Sequence, residues 1–295
     1  MRDPDHSTTT ADGRIINIWL SGANDGNTLV FHRGTPDPPA PWPEFEQTAM
    51  DLGLSVVSYA RPGYSGSTRH TGRDVAAAAA DTVAVLDSLE IGEFIALGHS
   101  GGGPHALACG ALLPGRCLAV VTVASVAPHP ADGLDWLDGM AEENVVEFGH
   151  AVDGEDSYRS FLQNEIALYA DVSADDVVAA LGGLVSEFDK KVLTGEMAER
   201  SAQNLRRVAR DGLEGWLDDG LAFVAPWGFE LDEITTPTSI WQGRHDKMVP
   251  FSHGQWLAAM MPQATAHLLE DEGHLTLLAN RLRDILADAI ETAGV

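Results

Sequence analysis

Cationic side chains and cysteines are both scarce in this chain of 295 residues. Lysine and arginine number 18 against 44 aspartate and glutamate residues, which gives a formal charge of −26 at pH 7. Because such a surface would repel nucleic acids and anionic membranes, we expect neither as a partner. The two cysteines, Cys109 and Cys117, are too few for a disulfide framework, and we expect buried free thiols.

Long apolar runs are also missing. No stretch of about 18 or more residues is continuously apolar, so no transmembrane helix is expected. The first six residues are polar and lack the apolar core of a signal peptide. We therefore expect a cytoplasmic protein that acts on a small molecule, and no pattern in the sequence predicts an oligomer.

Strand-like and helix-like segments alternate along most of the chain, with a turn predicted at residues 24–27. β-branched runs between helical segments are typical of crossover units and of a mostly parallel sheet flanked by helices. The predicted strands are 15–20, 28–31, 55–59, 94–97, 118–124, 238–241 and 264–269. The predicted helices of this part are 42–52, 74–89, one after residue 103, 251–261 and 275–292.

The alternation stops at residues 128–230, where the periodicity is helical and no convincing strand occurs. We expect helices at 160–169, 174–184 and 195–209, and we predict that 128–230 forms a helical cap over a core of 1–127 and 231–295. Ligands of open parallel sheets bind at the carboxyl ends of the strands, where such a cap would lie. Two tryptophans at the borders of the cap are candidate substrate-binding residues, unless they only pack it: Trp136 and Trp227.

A G-x-S-x-G sequence follows the apolar run at 94–97. A serine at such a strand–turn–helix corner has a strained backbone that projects its hydroxyl outward, and glycines permit the tight bend. The pattern predicts that Ser100 is a nucleophile. The neighbouring His99 is a further candidate for substrate contact, although we expect its side chain to point away from the catalytic base.

A serine nucleophile needs a base and an acidic residue that orients the base. Asp246 and His274 follow two later predicted strands, at the carboxyl edge of the sheet. The order Ser, Asp, His along the chain is the order that α/β-hydrolases use. We therefore predict a triad of Ser100, Asp246 and His274.

The reaction also needs donors for an oxyanion. The backbone N–H of Gly101, directly after the nucleophile, is one predicted donor. The N–H of Thr35, in the loop after an early strand, is the other, because Gly34 permits close approach and Pro36 stiffens the loop.

Metal and cofactor binding are not expected. No H-E-x-x-H or similar spacing occurs, and the proposed triad needs neither group. The adjacent pair of His245 and Asp246 could suggest a metal ligand set, but we favour the triad. The remaining histidines without a partner pattern are expected to be structural or exposed: His32, His70, His105, His129, His150, His253 and His267.

Over nearly its whole length the chain resembles the α/β-hydrolase superfamily. The resemblance lies in the elbow at 98–102, the W-Q-G-R-H-D-K-M-V-P loop at 241–250 and the D-E-G-H segment at 271–274. Residues 61–67 are similar to the R-P-G-x-G-x-S loop of the superfamily, which helps to shape the site. Arg33 and Gly34 stand where the superfamily has an H-G pair, a departure that leaves main-chain donors intact.

The resemblance implies an α/β-hydrolase fold with a helical cap, and a serine hydrolase that cleaves ester-like bonds of a small, apolar substrate through an acyl-enzyme. The same triad serves carbon–carbon bond hydrolases, lactonases and cofactor-free haloperoxidases or perhydrolases, which remain alternatives. An aminopeptidase that resembles proline iminopeptidases is less favoured, because their G-G-S-W-G elbow is absent. A non-catalytic ligand receptor is disfavoured, since all three triad positions are filled. The serine also separates this chain from relatives with aspartate at the elbow, such as epoxide hydrolases and haloalkane dehalogenases.

Overall fold

The computed structural model describes residues 2–23 and 25–295, and an eight-stranded sheet forms its centre. The strand order is β1-β2-β4-β3-β5-β6-β7-β8; β2 pairs antiparallel with both β1 and β4, and the pairs from β4 to β8 are all parallel. This arrangement confirms the predicted fold class. Asn24, in the predicted turn, lies outside the described residues. The strands are β1 (His6–Thr9), β2 (Ile15–Gly22), β3 (Asn27–His32), β4 (Leu54–Tyr59), β5 (Phe94–His99), β6 (Cys117–Val123), β7 (Thr238–Gly243) and β8 (Thr265–Leu269).

Ten α-helices accompany the sheet in the described part of the chain. The five helices α4–α8 lie between β6 and β7, and within the described residues that segment contains no strand. The helices are α1 (Pro43–Asp51), α2 (Ala77–Ser88), α3 (Gly103–Leu112), α4 (Glu142–Val152), α5 (Glu155–Tyr169), α6 (Val177–Leu181), α7 (Gly195–Asp211), α8 (Glu214–Phe223), α9 (Phe251–Met260) and α10 (His274–Ala293).

Side chains of each central strand alternate between two apolar cores, because successive residues of a strand face opposite sides of the sheet. In β5, Phe94 and Ala96 belong to the core beneath α2, α3 and α9. Ile95 and Leu97 belong to the core beneath α1 and α10. Both faces of the sheet are therefore covered, as expected for strands with continuous apolar runs.

The helices between β6 and β7 have an apolar core of their own. It centres on Tyr158 and Leu162 of α5, Leu205 of α7 and Trp216 of α8. Two of these helices, α4 and α8, were not predicted as separate elements. We call the helices α4–α8 and the loops between them the helical layer. Its apolar core holds these helices together beside the sheet.

Three further expectations concern the first strand, the two cysteines and membrane-spanning helices. Strand β1 was not predicted, because its polar and mostly exposed residues carry no apolar alternation. Cys109 and Cys117 are buried free thiols, as expected, and burial raises the pKa of Cys109 to about 12. In the part of the chain that the structure describes, none of the helices combines the length and apolar character needed to cross a bilayer.

The helical layer is joined to the sheet by a buried carboxylate on α8, that of Asp219. It accepts hydrogen bonds from Arg61 Nη2 at 2.6 Å, Arg73 Nη2 at 2.5 Å and Tyr64 Oη at 2.9 Å. Burial alone would raise the pKa of Asp219, but the charges of Arg61 and Arg73 hold it well below its usual range. The carboxylate is therefore ionised and compensated inside the protein.

Replacing Asp219 with Asn should destabilise the protein, because the guanidinium groups of Arg61 and Arg73 would stay buried without a counter-charge. We expect Asp219→Asn to lower the free energy of unfolding by about 3–5 kcal/mol, measured by urea denaturation at neutral pH. Asp232→Asn, which removes an exposed carboxylate that forms no ion pair with any residue that the structure describes, serves as the control. A loss below about 1 kcal/mol would contradict this account of the ion-pair cluster.

Candidate active site

Ser100 lies at the corner between β5 and α3, with a φ of 54° that is rare for a residue with a side chain. The corner is tight: a Cβ on Gly98 would overlap the backbone of Gly102, and a Cβ on Gly102 would overlap the carbonyl of His32. Only glycine fits at these two positions. The spacing of the G-x-S-x-G sequence thus has a steric cause, and the strained serine is held at the end of a buried strand.

His274 begins α10 at the same edge of the sheet, and its Nδ1 lies 2.8 Å from Oδ2 of Asp246. Asp246 follows β7. Its Oδ1 accepts the backbone N–H groups of Met248 at 2.9 Å and Val249 at 2.8 Å, and Gln242 Nε2 donates to Oδ2 at 3.2 Å. The carboxylate is fixed on both oxygens, so it can orient the imidazole and hold its Nδ1 proton.

The charge of Asp246 also sets the basicity of His274. Burial opposes the charged imidazolium, but the charge of Asp246 and its hydrogen bond outweigh burial, and the net effect raises the pKa of His274 above its usual value. Asp189 adds to this rise from a greater distance. The site thus favours the protonated imidazole in comparison with an isolated histidine.

Asp189 is a second acidic contact of the His274 segment that sequence reasoning did not identify. It is buried in the loop between α6 and α7, and it accepts the backbone N–H groups of His274 at 3.2 Å, Leu275 at 2.8 Å and Thr276 at 3.0 Å. A side chain from the helical layer therefore caps the first turn of α10. No local pattern could reveal it, because Asp189 lies 85 positions before His274.

Thr35 and Gly101 approach each other closely: a Cβ on Gly101 would lie 2.5 Å from Thr35 Oγ1. The loop that contains Thr35 is held by Arg61, which donates to the carbonyls of Arg33 at 2.5 Å and Gly34 at 2.9 Å. Within residues 2–23 and 25–295, the backbone N–H of Thr35 has no hydrogen-bond acceptor. This N–H is therefore free to bind a ligand, and its assignment as an oxyanion donor remains a prediction.

A single cavity of about 280 Å³ joins these groups. Ser100, Gly101, Thr35, His99 and His274 all line it. Aromatic and other side chains of the helical layer complete the wall, among them Asn144, Glu147, Phe148, Tyr169, Trp216 and Phe223. The predicted nucleophile, the predicted base and the residues of the predicted oxyanion donors therefore line one cavity.

Trp136 and Trp227, by contrast, are not among the residues that line the cavity. The Trp136 indole packs edge-on against Phe148 and donates to the carbonyl of Ala127 at 2.8 Å. Trp227 is buried in the apolar core beneath α2, α3 and α9. Both indoles are buried by packing against other residues. Of the two roles considered for these tryptophans, substrate binding and packing, the structure supports packing.

The expected orientation of His99 is wrong. Its ring lies 4.9 Å from that of His274, between ring centroids, and it lines the cavity instead of pointing away from the base. The alternation along β5 explains this: Ile95 and Leu97 face α10, so His99 faces α10 as well. Burial, reinforced by the nearby His274, lowers the pKa of His99 well below its usual value. The imidazole of His99 is therefore neutral, and it forms part of the cavity wall beside the imidazole of His274.

The described residues contain no group of three or more histidine, cysteine, aspartate or glutamate side chains arranged to hold a metal ion. The adjacent His245 does not share the contacts of Asp246: its ring stacks on Phe188 with 3.8 Å between the ring centroids.

The profile of the alpha/beta hydrolase fold family matches residues 27–280, and the chain belongs to this family of hydrolases. It is 27% identical over 252 residues to a non-heme chloroperoxidase of Streptomyces lividans, covering 83% of this chain and 84% of that protein. It is 25% identical to a 2-hydroxy-6-oxononadienedioate/2-hydroxy-6-oxononatrienedioate hydrolase of Burkholderia vietnamiensis, over 89% and 86% of the two chains. A thermophilic esterase from Thermogutta terrifontis has the same fold, with a TM-score of 0.71, 17% identity and coverage of 98% and 99%.

The coupling between Asp246 and His274 can be measured by the titration of the imidazole. NMR of the folded protein should give His274 a pKa above the usual histidine value of 6.5, and Asp246→Asn should lower it, because the largest contribution that opposes burial would be lost. His253, whose pKa burial lowers to about 4, should not change in the same spectra. An unchanged His274 pKa in Asp246→Asn would contradict the electrostatic role of Asp246.

Proposed function

We propose that the protein is a serine hydrolase that cleaves ester-like bonds of a small, largely apolar substrate through an acyl-enzyme. The observation that carries the proposal is the cavity that Ser100, His274, Gly101 and Thr35 line together, with Asp246 fixed behind His274. The charge of −26 supports a small molecule over nucleic acid as the ligand.

In the first half of the reaction, Ser100 Oγ attacks the carbonyl carbon of the ester, and His274 Nε2 accepts the hydroxyl proton. Asp246 stabilises the imidazolium that forms. The carbonyl oxygen becomes an oxyanion, which the N–H groups of Gly101 and Thr35 bind. Collapse of this intermediate breaks the bond to the alkoxy oxygen. His274 returns its proton to that oxygen, so an alcohol leaves and the acyl group remains on Ser100.

In the second half, water enters the cavity and attacks the acyl carbonyl while His274 takes a proton from it. The same two N–H groups bind the second oxyanion. When the bond to Ser100 Oγ breaks, His274 protonates Oγ, and a carboxylic acid leaves. The enzyme is restored without a cofactor or a metal in any step.

The helices α4–α8 act as the cap in this proposal, over residues 128–230. They supply Phe148, Tyr169 and Trp216 to the cavity wall, opposite the elbow and α10. A cavity wall that is mostly apolar favours an apolar acyl or alcohol group. The cap would thereby select the substrate, while the sheet edge performs the chemistry.

Carbon–carbon bond hydrolysis is a second candidate, favoured by the similarity to the oxononadienedioate hydrolase. The chloroperoxidase relative favours perhydrolysis, in which peroxide replaces water as the attacking group. Both would use the same nucleophile and base. A comparison of p-nitrophenyl butyrate, a vinylogous 1,5-diketone and acetate with hydrogen peroxide would separate the three reactions.

Replacing Ser100 with Ala should abolish ester hydrolysis, because the proposed acyl-enzyme forms on the Ser100 hydroxyl. We expect kcat/KM for p-nitrophenyl butyrate to fall about 10³-fold or more, with an unchanged circular dichroism spectrum. Ser160→Ala removes the same atom from an exposed position on α5 and should leave kcat/KM unchanged. Activity within tenfold of the parent protein in folded Ser100→Ala would contradict the mechanism.

A further inference from the structure

Glu147, on α4, places a carboxylate in the wall of the cavity. Its Oε1 accepts two hydrogen bonds, from Tyr158 Oη at 2.6 Å and from Trp216 Nε1 at 2.7 Å. Among the residues that the structure describes, none donates a hydrogen bond to Oε2. The carboxylate is thus held rigidly by one oxygen while the other remains available.

The remaining charges of the wall are compensated. Arg33 forms an ion pair with Asp37, and Arg200 forms one with Glu44 at 3.1 Å. Within residues 2–23 and 25–295, Glu147 has no cationic partner, and its two contacts are neutral donors. Burial raises the pKa of Glu147, with a smaller contribution in the same direction from Glu165. This partly buried carboxylate lacks the counter-ion that carboxylates removed from water usually have.

Trp216, which donates to Glu147 Oε1, is one of several aromatic residues that line the cavity. Trp216 and Tyr169 stack with their ring centroids 5.9 Å apart, and both line the cavity together with Phe148 and Phe223. The face of an aromatic ring attracts a cation, most strongly where water is excluded. A carboxylate beside aromatic rings suits an ammonium group, because the ammonium donates hydrogen bonds to the carboxylate and its positive charge is attracted by both.

We propose that Glu147 Oε2 and the surrounding aromatic rings bind a primary ammonium group of the substrate, the rest of which is apolar. This inference deepens the proposed function, because it assigns a substrate class to the same cavity. The unpaired carboxylate of Glu147 would repel an anionic substrate. The formal charge of −26 also favours a cationic substrate, since it attracts cations and repels anions at long range.

Binding tests the inference without any turnover. Isothermal titration calorimetry of the full-length protein should show benzylammonium binding at least about tenfold more tightly than benzyl alcohol or benzoate, a difference of about 1.4 kcal/mol. Glu147→Gln should remove this preference. The amide keeps a carbonyl oxygen for Tyr158 and Trp216 but carries no negative charge.

Glu165→Gln is the matched control, because it removes one negative charge nearby from a residue that is not among those lining the cavity. It should keep the preference for benzylammonium. Equal binding of the three probes by the parent protein would overturn the proposal. So would a Glu147→Gln protein that still prefers benzylammonium, or a Glu165→Gln protein that loses the preference to the same extent.

Turnover separates this inference from the proposed function. We expect kcat/KM for p-nitrophenyl 6-aminohexanoate to exceed that for p-nitrophenyl heptanoate about tenfold, and Glu147→Gln to equalise the two. Equal hydrolysis of both esters by the parent protein would overturn the ammonium site and leave the serine mechanism standing. Preferential binding of benzylammonium without hydrolysis of either ester would support the ammonium site and contradict the serine hydrolase.

Discussion

Asp219 carries a negative charge at a position with no exposure to solvent, and Arg61 and Arg73 supply the cations that this charge requires. This requirement connects α8 to the chain that follows β4. Arg61 in turn binds the carbonyls of the loop after β3, and Asp219 itself accepts the hydroxyl of Thr35 at 2.6 Å. The geometry of the proposed oxyanion loop thus depends on a charge that the helical layer contributes.

A second buried aspartate gives the helical layer a comparable role on the other side of the cavity. Asp189 binds the first backbone N–H groups of α10, while Asp246 binds the His274 side chain from the loop after β7. The base is therefore held by its backbone and by its ring. The helices above the sheet do more than enclose the cavity, because two of their carboxylates also position the groups beneath them, and Glu147 faces the space between.

Local patterns were sufficient for the parallel sheet, the elbow at Ser100 and the pairing of His274 with Asp246, because each depends on a strand and the few residues after it. They failed where a side chain acts across the fold. Asp189 and Asp219 were indistinguishable from solvated acidic residues, since the groups that they hold in the site, the start of α10 and Thr35, lie 85 and 184 positions away. The orientation of His99 also needed the sheet, because only the strand alternation relative to α10 decides it.

Covalent labelling tests the central claim most directly. Incubation with a fluorophosphonate should add one phosphonyl group per chain, and peptide mass spectrometry should locate it on Ser100. An excess of p-nitrophenyl butyrate should slow the labelling, because both molecules would compete for the same hydroxyl. Folded protein that remains unlabelled, or that carries the phosphonyl group on another residue, would contradict the assignment of Ser100 as the nucleophile.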